Sequence, residues 1–376
     1  MPSLKEIKGR ISSVRSTLKI TSAMKMVASA KLHKAQLAIG NMLPYEQRLH
    51  RMLVDLMPEP SSSEYSDICA PDPAGVSNFG SGPAADVVSN FGSGSVVGPA
   101  PVSGMLLSPR EVHRVAIVAF ASNSSLCGSF NASVIRQTRS VIGEYRSAGL
   151  PDSCITVYSV GRKVADAMRK DGFLNPPFPT VVAPSASHGP ADRVHSVSSP
   201  DSAGLSGPSD FSKLSESPDY EGASALAREL LDGFLSGRFD KIELVYNHYQ
   251  STASQPTIRV PYLPLSLSDG SAGLPAGRGP HVRKEEMPHA ANPEDYILEP
   301  SRETVLKELL PKVIRLRIYA TLLDSSAAEH AARTVAMQTA TDNGQEILED
   351  LTLAYNKSRQ QKITSEILDI VSGSMV

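Results

Sequence analysis

The chain has 376 residues, enough for two or three domains or for one domain and an extended rod, with 5% aromatic residues and no Trp. A formal net charge of −2 excludes a global drive toward nucleic acid or anionic membrane, and no apolar run approaches the ~20 residues of a membrane span. Cys69, Cys127 and Cys154 have no metal-ligand spacing, and their odd number argues against a disulfide framework, which favours a reducing, cytosolic compartment.

From Pro2 to Met57 the sequence repeats on a seven-residue frame. One seam position takes Leu4, Ile11, Leu18, Lys25, Leu32, Ile39, Glu46 and Leu53; the other takes Ile7, Val14, Thr21, Ala28, Ala35, Met42, Leu49 and Leu56. Only Thr21, Lys25 and Glu46 are polar, so the pattern is a helix surface that needs a partner helix. At ~1.5 Å per residue such a helix is about 80 Å long, too long to be buried in one globule. Ser3 and Glu6 have capping-box spacing, and Pro44 is expected to kink the second half. Ten Lys and Arg against Glu6, Glu46 and Asp55 give this rod +7 and leave −9 for the rest, which implies an acidic or polar partner surface. Its basic start has no apolar signal core and is expected to be mature structure.

From Pro58 to Arg110 the composition changes to Ser, Gly, Pro and Asp. VSNFGSG occurs at Val76–Gly82 and again at Val88–Gly94; composition favours a duplicated flexible insertion over a recognition repeat displaying Phe79 and Phe91. Strands are then expected at His113–Phe120, Cys154–Val160, Phe178–Ala183, Lys241–Asn247 and about Thr257–Leu263. Helices are expected from Phe130 to Arg146, Arg162 to Lys170 and Glu221 to Ser236. The alternation predicts a parallel, Rossmann-like α/β sheet covered on both faces, interrupted by insertions at about 184–218 and 265–292. A last long helix follows Ser301 and stops near Gly373, with a break or kink at Pro311. Leu316, Leu323, Ala327, Ala331, Ile347, Leu351, Ala354, Ile363, Ile367 and Ile370 supply its apolar positions. Two long helices at opposite ends of one chain are expected to pair as an antiparallel coiled coil. The resulting fold class is α/β: a 1–57 helix, a 58–110 insertion, a 111–299 α/β domain and a 300–376 helix.

The turn Ser122–Gly128 sits where a phosphate loop would sit, but it has one glycine and no following lysine, so an ordinary strand–helix turn is the stronger reading. His113, His188, His195, His248, His281, His289 and His330 are scattered without an i, i+4 pair and are expected to be solvated or incidental, giving no metal site and no catalytic triad. Lys25 in the seam, with Met24 beside it, has two equally weighted readings from periodicity: a snorkelling lysine or a polar waist that touches a partner. The polar run Asn356–Lys362 poses the same choice.

Ile7–Gln36 (IKGRISSVRSTLKITSAMKMVASAKLHKAQ) resembles the N-terminal helix of the γ subunits of F-type ATP synthases. Glu329–Val371, with its ATDN and LTLAYNKSRQQKIT runs, resembles their C-terminal helix. SNSSLCGSFN resembles the family's Ser-Asp-Arg-Gly-Leu-Cys-Gly turn but has Asn123, Ser124 and Ser125 where acid, Arg and Gly are usual. The insertions lie outside the resemblance. It implies a central rotor without catalytic residues, metal or cofactor, one copy per complex, standing in a ring of α and β subunits above the ε subunit and the c-ring. It also implies a peripheral place on the cytoplasmic face of the bacterial inner membrane. Met24, Lys25 and Arg333 would meet β lever loops. Arg359, Gln360 and Thr364 would form an upper catch, and Tyr296 and Glu299 would lie near ε and the c-ring. Two other readings of the residues are a nucleic-acid-binding or scaffold protein with a basic helical arm, and an α/β enzyme with an oligomerisation arm.

Overall fold

The computed structural model describes residues 3–56, 106, 110–173, 212–265, 297–299 and 301–374. The expected strand at Phe178–Ala183, the VSNFGSG repeat, most of the three insertions and Tyr296 lie outside the described residues.

Helix α1 spans Leu4–Leu56 and runs through Pro44. It opens as its sequence requires: the Glu6 N–H donates to Ser3 Oγ at 3.3 Å, and Arg10 pairs with Glu6 at 2.9 Å. The central unit then contributes β1 (Val115–Phe120), α2 (Phe130–Ser147), β2 (Ile155–Val160), α3 (Arg162–Lys170), α4 (Ser212–Glu216), α5 (Tyr220–Leu235), β3 (Lys241–Asn247) and β4 (Thr257–Leu263). Helix α6 (Arg302–Gly373) closes the fold, with Ser301 Oγ accepting from the Thr304 N–H at 3.3 Å and with Pro311 inside the helix. Its 72 residues make it about 108 Å long at ~1.5 Å per residue.

The four strands are ordered β2-β1-β3-β4. β1 is parallel to β2 and β3, but β4 is antiparallel to β3, which corrects the expected all-parallel sheet. The connection 248–256 is too short for a crossover, which needs about a dozen residues or more. β4 is an edge strand, and it accommodates Pro261 beside a bulge opposite Ile242 and Glu243.

Alternate residues of β1 feed opposite cores, as a two-residue period dictates. Ala116, Val118 and Phe120 join the core shared with α5, the lower half of α1 and Leu306–Leu323 of α6. Val115, Ile117 and Ala119 join Val134, Val141, Val164 and Met168 of α2 and α3. Thus both faces are covered, and α6 begins inside the sheet's own core before leaving it.

Each heptad position expected of α1 is buried or half-buried, including Thr21, Lys25 and Glu46. Burial raises the Glu46 carboxyl above its ordinary range, and Arg317 partly offsets this. On α6 the expected stripe is right below and only partly right above, where Leu351 is half-buried as expected. Leu316, Leu323, Ala327 and Ala331 are buried, but Ile347 and Ala354 face solvent. The sheltered positions there are Met337, Thr341, Gly344, Leu348, Leu351, Tyr355 and Ser358, alternating by four and three. Thr, Gly and Ser occupy seam places, so counting apolar residues put Ile347 and Ala354 one residue off the seam, which runs through Leu348 and Tyr355.

Candidate functional site

The surface that leaves the α/β unit is the paired stretch of α1 and α6. Three contacts define its direction. A Cβ on Gly344 would lie 2.8 Å from Leu18 Cδ2, Thr341 Oγ1 donates to Thr21 Oγ1 at 3.0 Å, and Lys25 Nζ donates to Gln338 Oε1. Partner numbers fall on α6 as they rise on α1, so the helices are antiparallel. Lower down, Leu32 and Ala35 meet Ala327 and Ala331, small residues that let the backbones approach.

Continuing the Leu18–Gly344 pairing to Leu4 reaches Ser358, the last sheltered residue of α6. Beyond it the helix stands alone. Residues 359–374 are all exposed, among them Leu368 (62%) and Ile370 (71%). Ile363, Ile367 and Ile370, expected as seam positions, are therefore uncovered, because α1 has already ended.

The sequence-expected contact residues fall into three zones. Met24 and Lys25 are half-buried at the neck. Arg333 lies in the same band but turns toward the α/β unit: Nη1 reaches Glu329 Oε1 at 2.7 Å and Nη2 donates to Ser124 Oγ at 2.6 Å. Arg359, Gln360 and Thr364 are exposed on the tip, about 40–45 Å beyond Arg333 at ~1.5 Å per residue; Thr364 Oγ1 only returns to the Gln360 carbonyl at 2.9 Å. Glu299 is exposed just before α6.

The turn after β1 is closed on itself. Ser122 is fully buried, its N–H donates to Asn131 Oδ1 at 3.0 Å, and Asn131 Nδ2 donates to the Ser124 carbonyl at 3.2 Å. Leu126 takes φ 69°, and Gly128 φ 59° faces Ala336 of α6. In doubly wound sheets ligands sit outside the carboxyl ends of the strands. Here α6 fills that crevice. Leu322, Ser325, Ser326 and Glu329 close over Phe120, Ala121 and Val160, leaving a cavity of about 10 Å³, room for one water.

Two histidines depart from the solvated expectation. His248 is buried with Nδ1 2.6 Å from Asp324 Oδ2, so the carboxylate accepts and Nδ1 carries the proton. His330 is held down to about 4 by burial, with Arg333 and Lys31 adding to the effect. Spacing along the chain could not reveal either, because Asp324 reaches His248 only when α6 folds over the strand ends and Lys31 nears His330 only when α1 pairs with α6. Missed as well was a clasp beneath the sheet. Glu243, 2% exposed, accepts from Arg259 Nε at 2.7 Å, Lys241 Nζ at 2.9 Å and Tyr145 Oη at 2.8 Å. Its one sequence signal was an acid inside the apolar run KIELVYN. Among the described residues, no group of three or more His, Cys, Asp or Glu is placed to hold a metal, and no helix is long and apolar enough to cross a membrane.

A sequence profile for the family described as ATP synthase matches residues 3–375. An ATP synthase gamma chain of Phocaeicola vulgatus is 43% identical over 375 residues, covering 100% of both chains. One from Bacteroides thetaiotaomicron is 40% identical with the same coverage. Among solved structures, a chain of the Euglena gracilis mitochondrial ATP synthase (OSCP/F1/c-ring, rotational state 3) is similar in fold, at 16% identity and a TM-score of 0.51 over 99% of this chain and 93% of that one.

Proposed function

This chain belongs to the ATP synthase gamma-chain family, and on that premise we propose that it is the central rotor of the complex, carrying c-ring rotation to the catalytic β subunits. It is a non-catalytic subunit. The observation that supports the rotor role best is the full-length likeness to gamma chains, joined to a geometry of paired helices rising from a small α/β unit and narrowing to one.

Mechanically, α1 and α6 form an antiparallel coiled coil with no threefold symmetry. Turned inside a ring of α and β subunits, it offers each β a different surface at any moment, and only such differential contacts can bias one conformation over another. Met24 and Lys25 face the β lever loops at the neck. Arg333 sits in that band and ties the turn after β1 to α6. Arg359, Gln360 and Thr364 form the upper catch on the tip, while Tyr296 and Glu299 lie toward ε and the c-ring. Exposed polar contacts worth ~0–1 kcal/mol each suit a surface that must grip and slip. The working division is a 1–57 helix, a 58–110 insertion, a 111–299 α/β unit and a 300–376 helix. The subunit is a peripheral part of a membrane complex, placed on the cytoplasmic face of the bacterial inner membrane, with one copy per complex.

Reconstitution with α and β subunits tests this reading. The expected result is one copy per hexameric ring with restored ATPase, and no hydrolysis or salt-dependent nucleic-acid binding by the chain alone. A solitary chain that turns over nucleotide, or that never enters the ring, overturns it.

A further inference from the structure

At the carboxyl end of β3 a small polar group joins the α/β unit to both long helices. The Asp324 carboxylate of α6 accepts from His248 Nδ1 at 2.6 Å through Oδ2 and from the Tyr249 N–H at 3.0 Å through Oδ1. The Tyr249 hydroxyl accepts in turn from Gln36 Nε2 of α1 at 2.7 Å. The Tyr249 ring packs against two clusters at once: Leu32, Ala35, Ala327 and Ala331 between the helices, and Cys127, Phe130 and Ala328 between the unit and α6. Below this level Met42, Leu49, Leu53 and Leu56 of α1 and Leu306–Leu323 of α6 are embedded in the sheet's core. Above it the pair continues, with the Arg333–Ser124 bond as a further tie to the unit. The junction therefore collars the helices where the cross-section of the molecule narrows.

We propose that Tyr249 and Asp324 are positioning residues for torque transfer: they key α1 and α6 to each other and to the rim of the α/β unit where the pair leaves the core, so that twist carried by the embedded ends of both helices is not lost to sliding between them above it. The physical reason is geometric. Shear between two helices that are free to slide concentrates where they leave a rigid body, and hydrogen bonds from one tyrosine and one carboxylate to three elements oppose sliding there. This inference rests on the rotor reading.

The test uses the full chain assembled with α and β subunits, the ring fixed and a bead on the α/β unit, and reads angular fluctuation at a stalled position. Tyr249→Phe removes only the hydroxyl and keeps the ring. If the Gln36, Asp324 and Arg333 ties act as equal springs in parallel, losing one raises the angular variance by up to about 1.5-fold. Unloaded ATPase should stay at the wild-type level, while in the complete complex, c-ring included and sealed in proteoliposomes, protons pumped per ATP against a gradient fall. Asp324→Asn should act in the same direction. A merely structural role would lower Tm and leave variance and pumping ratio unchanged, and that result overturns the inference. Should Asp324→Asn fail to assemble, Tyr249→Phe decides alone. A wild-type chain that never turns in the ring overturns the rotor reading and this inference together; a turning wild type with unchanged Tyr249→Phe variance overturns this inference only.

Discussion

Replacing Arg259 by Met isolates the buried carboxylate of Glu243, and the structure sets both the size and the pH dependence of the result. Arg259 gives Glu243 two of its bonds, Nε to Oε2 at 2.7 Å and Nη2 to Oε1 at 3.0 Å, and also pairs with Glu144. Breaking a buried ion pair from one side costs ~3–5 kcal/mol. Lys241 and Tyr145 remain, and the Arg259 side chain is 27% exposed, so the low end applies. About 3 kcal/mol is a change of roughly 100- to 200-fold in the folding equilibrium. With no Trp in the chain, tyrosine emission during urea unfolding follows this unit through the buried Tyr145, Tyr158, Tyr246 and Tyr262. Burial alone would raise the Glu243 carboxyl, but the bonds from Arg259 and Lys241 outweigh it and hold it below its ordinary value. The wild-type contribution is therefore complete above the unfolded value of about 4.3 and is lost as pH falls through the lower folded value. Without Arg259 burial is opposed only by Lys241 and Tyr145, and the folded value moves up from its wild-type position. The variant's carboxyl therefore takes its proton at a higher pH than the wild type's, and its deficit shrinks as pH is lowered from neutrality through about 4.3. Glu243→Gln combined with Arg259→Met should recover much of the loss, because no buried carboxylate is left and the ammonium of Lys241, 32% exposed, can turn to solvent. A deficit below about 1 kcal/mol, or one that widens on acidification, would refute the account.

Further outcomes follow from the same geometry. Leu18→Pro should cost about 3 kcal/mol or more of helix stability and abolish coupling in the reconstituted complex, whereas Lys25→Ala, which loses one polar contact, should change ATPase little; circular dichroism and turnover check the pair. Gly161→Ala should destabilise the chain by at least about 2 kcal/mol, measured by Tm, because φ is 111° and a Cβ would sit 2.1 Å from the Ala121 carbonyl oxygen. Truncation after Arg359 should leave the urea midpoint of the isolated chain unchanged, since the side chains of residues 360–374 are exposed, while lowering turnover in the assembled ring. His330 should titrate near about 4 by NMR; because its folded value is depressed, its contribution to stability is lost as pH falls from about 6.5 to 4, and His330→Gln should flatten that slope.

Much of the scaffold was legible because it obeys simple periods. The α1 stripe is set by leucine, isoleucine and valine at heptad spacing, and each of its positions proved sheltered. β3 and β4 occupy the segments expected from their apolar runs. What failed did so where partners are remote in sequence. The apolar run of β4 left its direction open, and the strand reverses because its connection is short. The upper α6 stripe hides in Thr341, Gly344 and Ser358, whose small size serves the interface better than their polarity suggests. Asp324 reads as a polar residue on a helix, and only the approach of β3 turns it into a junction. Ile363 and Ile367 keep heptad spacing past the end of the helix they would have met.

Because α6 outlasts α1, flexural rigidity is graded along the axle. The doubled stretch resists bending more than twice as strongly as a lone helix, since material set away from the bending axis counts disproportionately. Deflection under a sideways push therefore gathers in the last turns, so the end can lean and recentre while the doubled shank below keeps its angular phase.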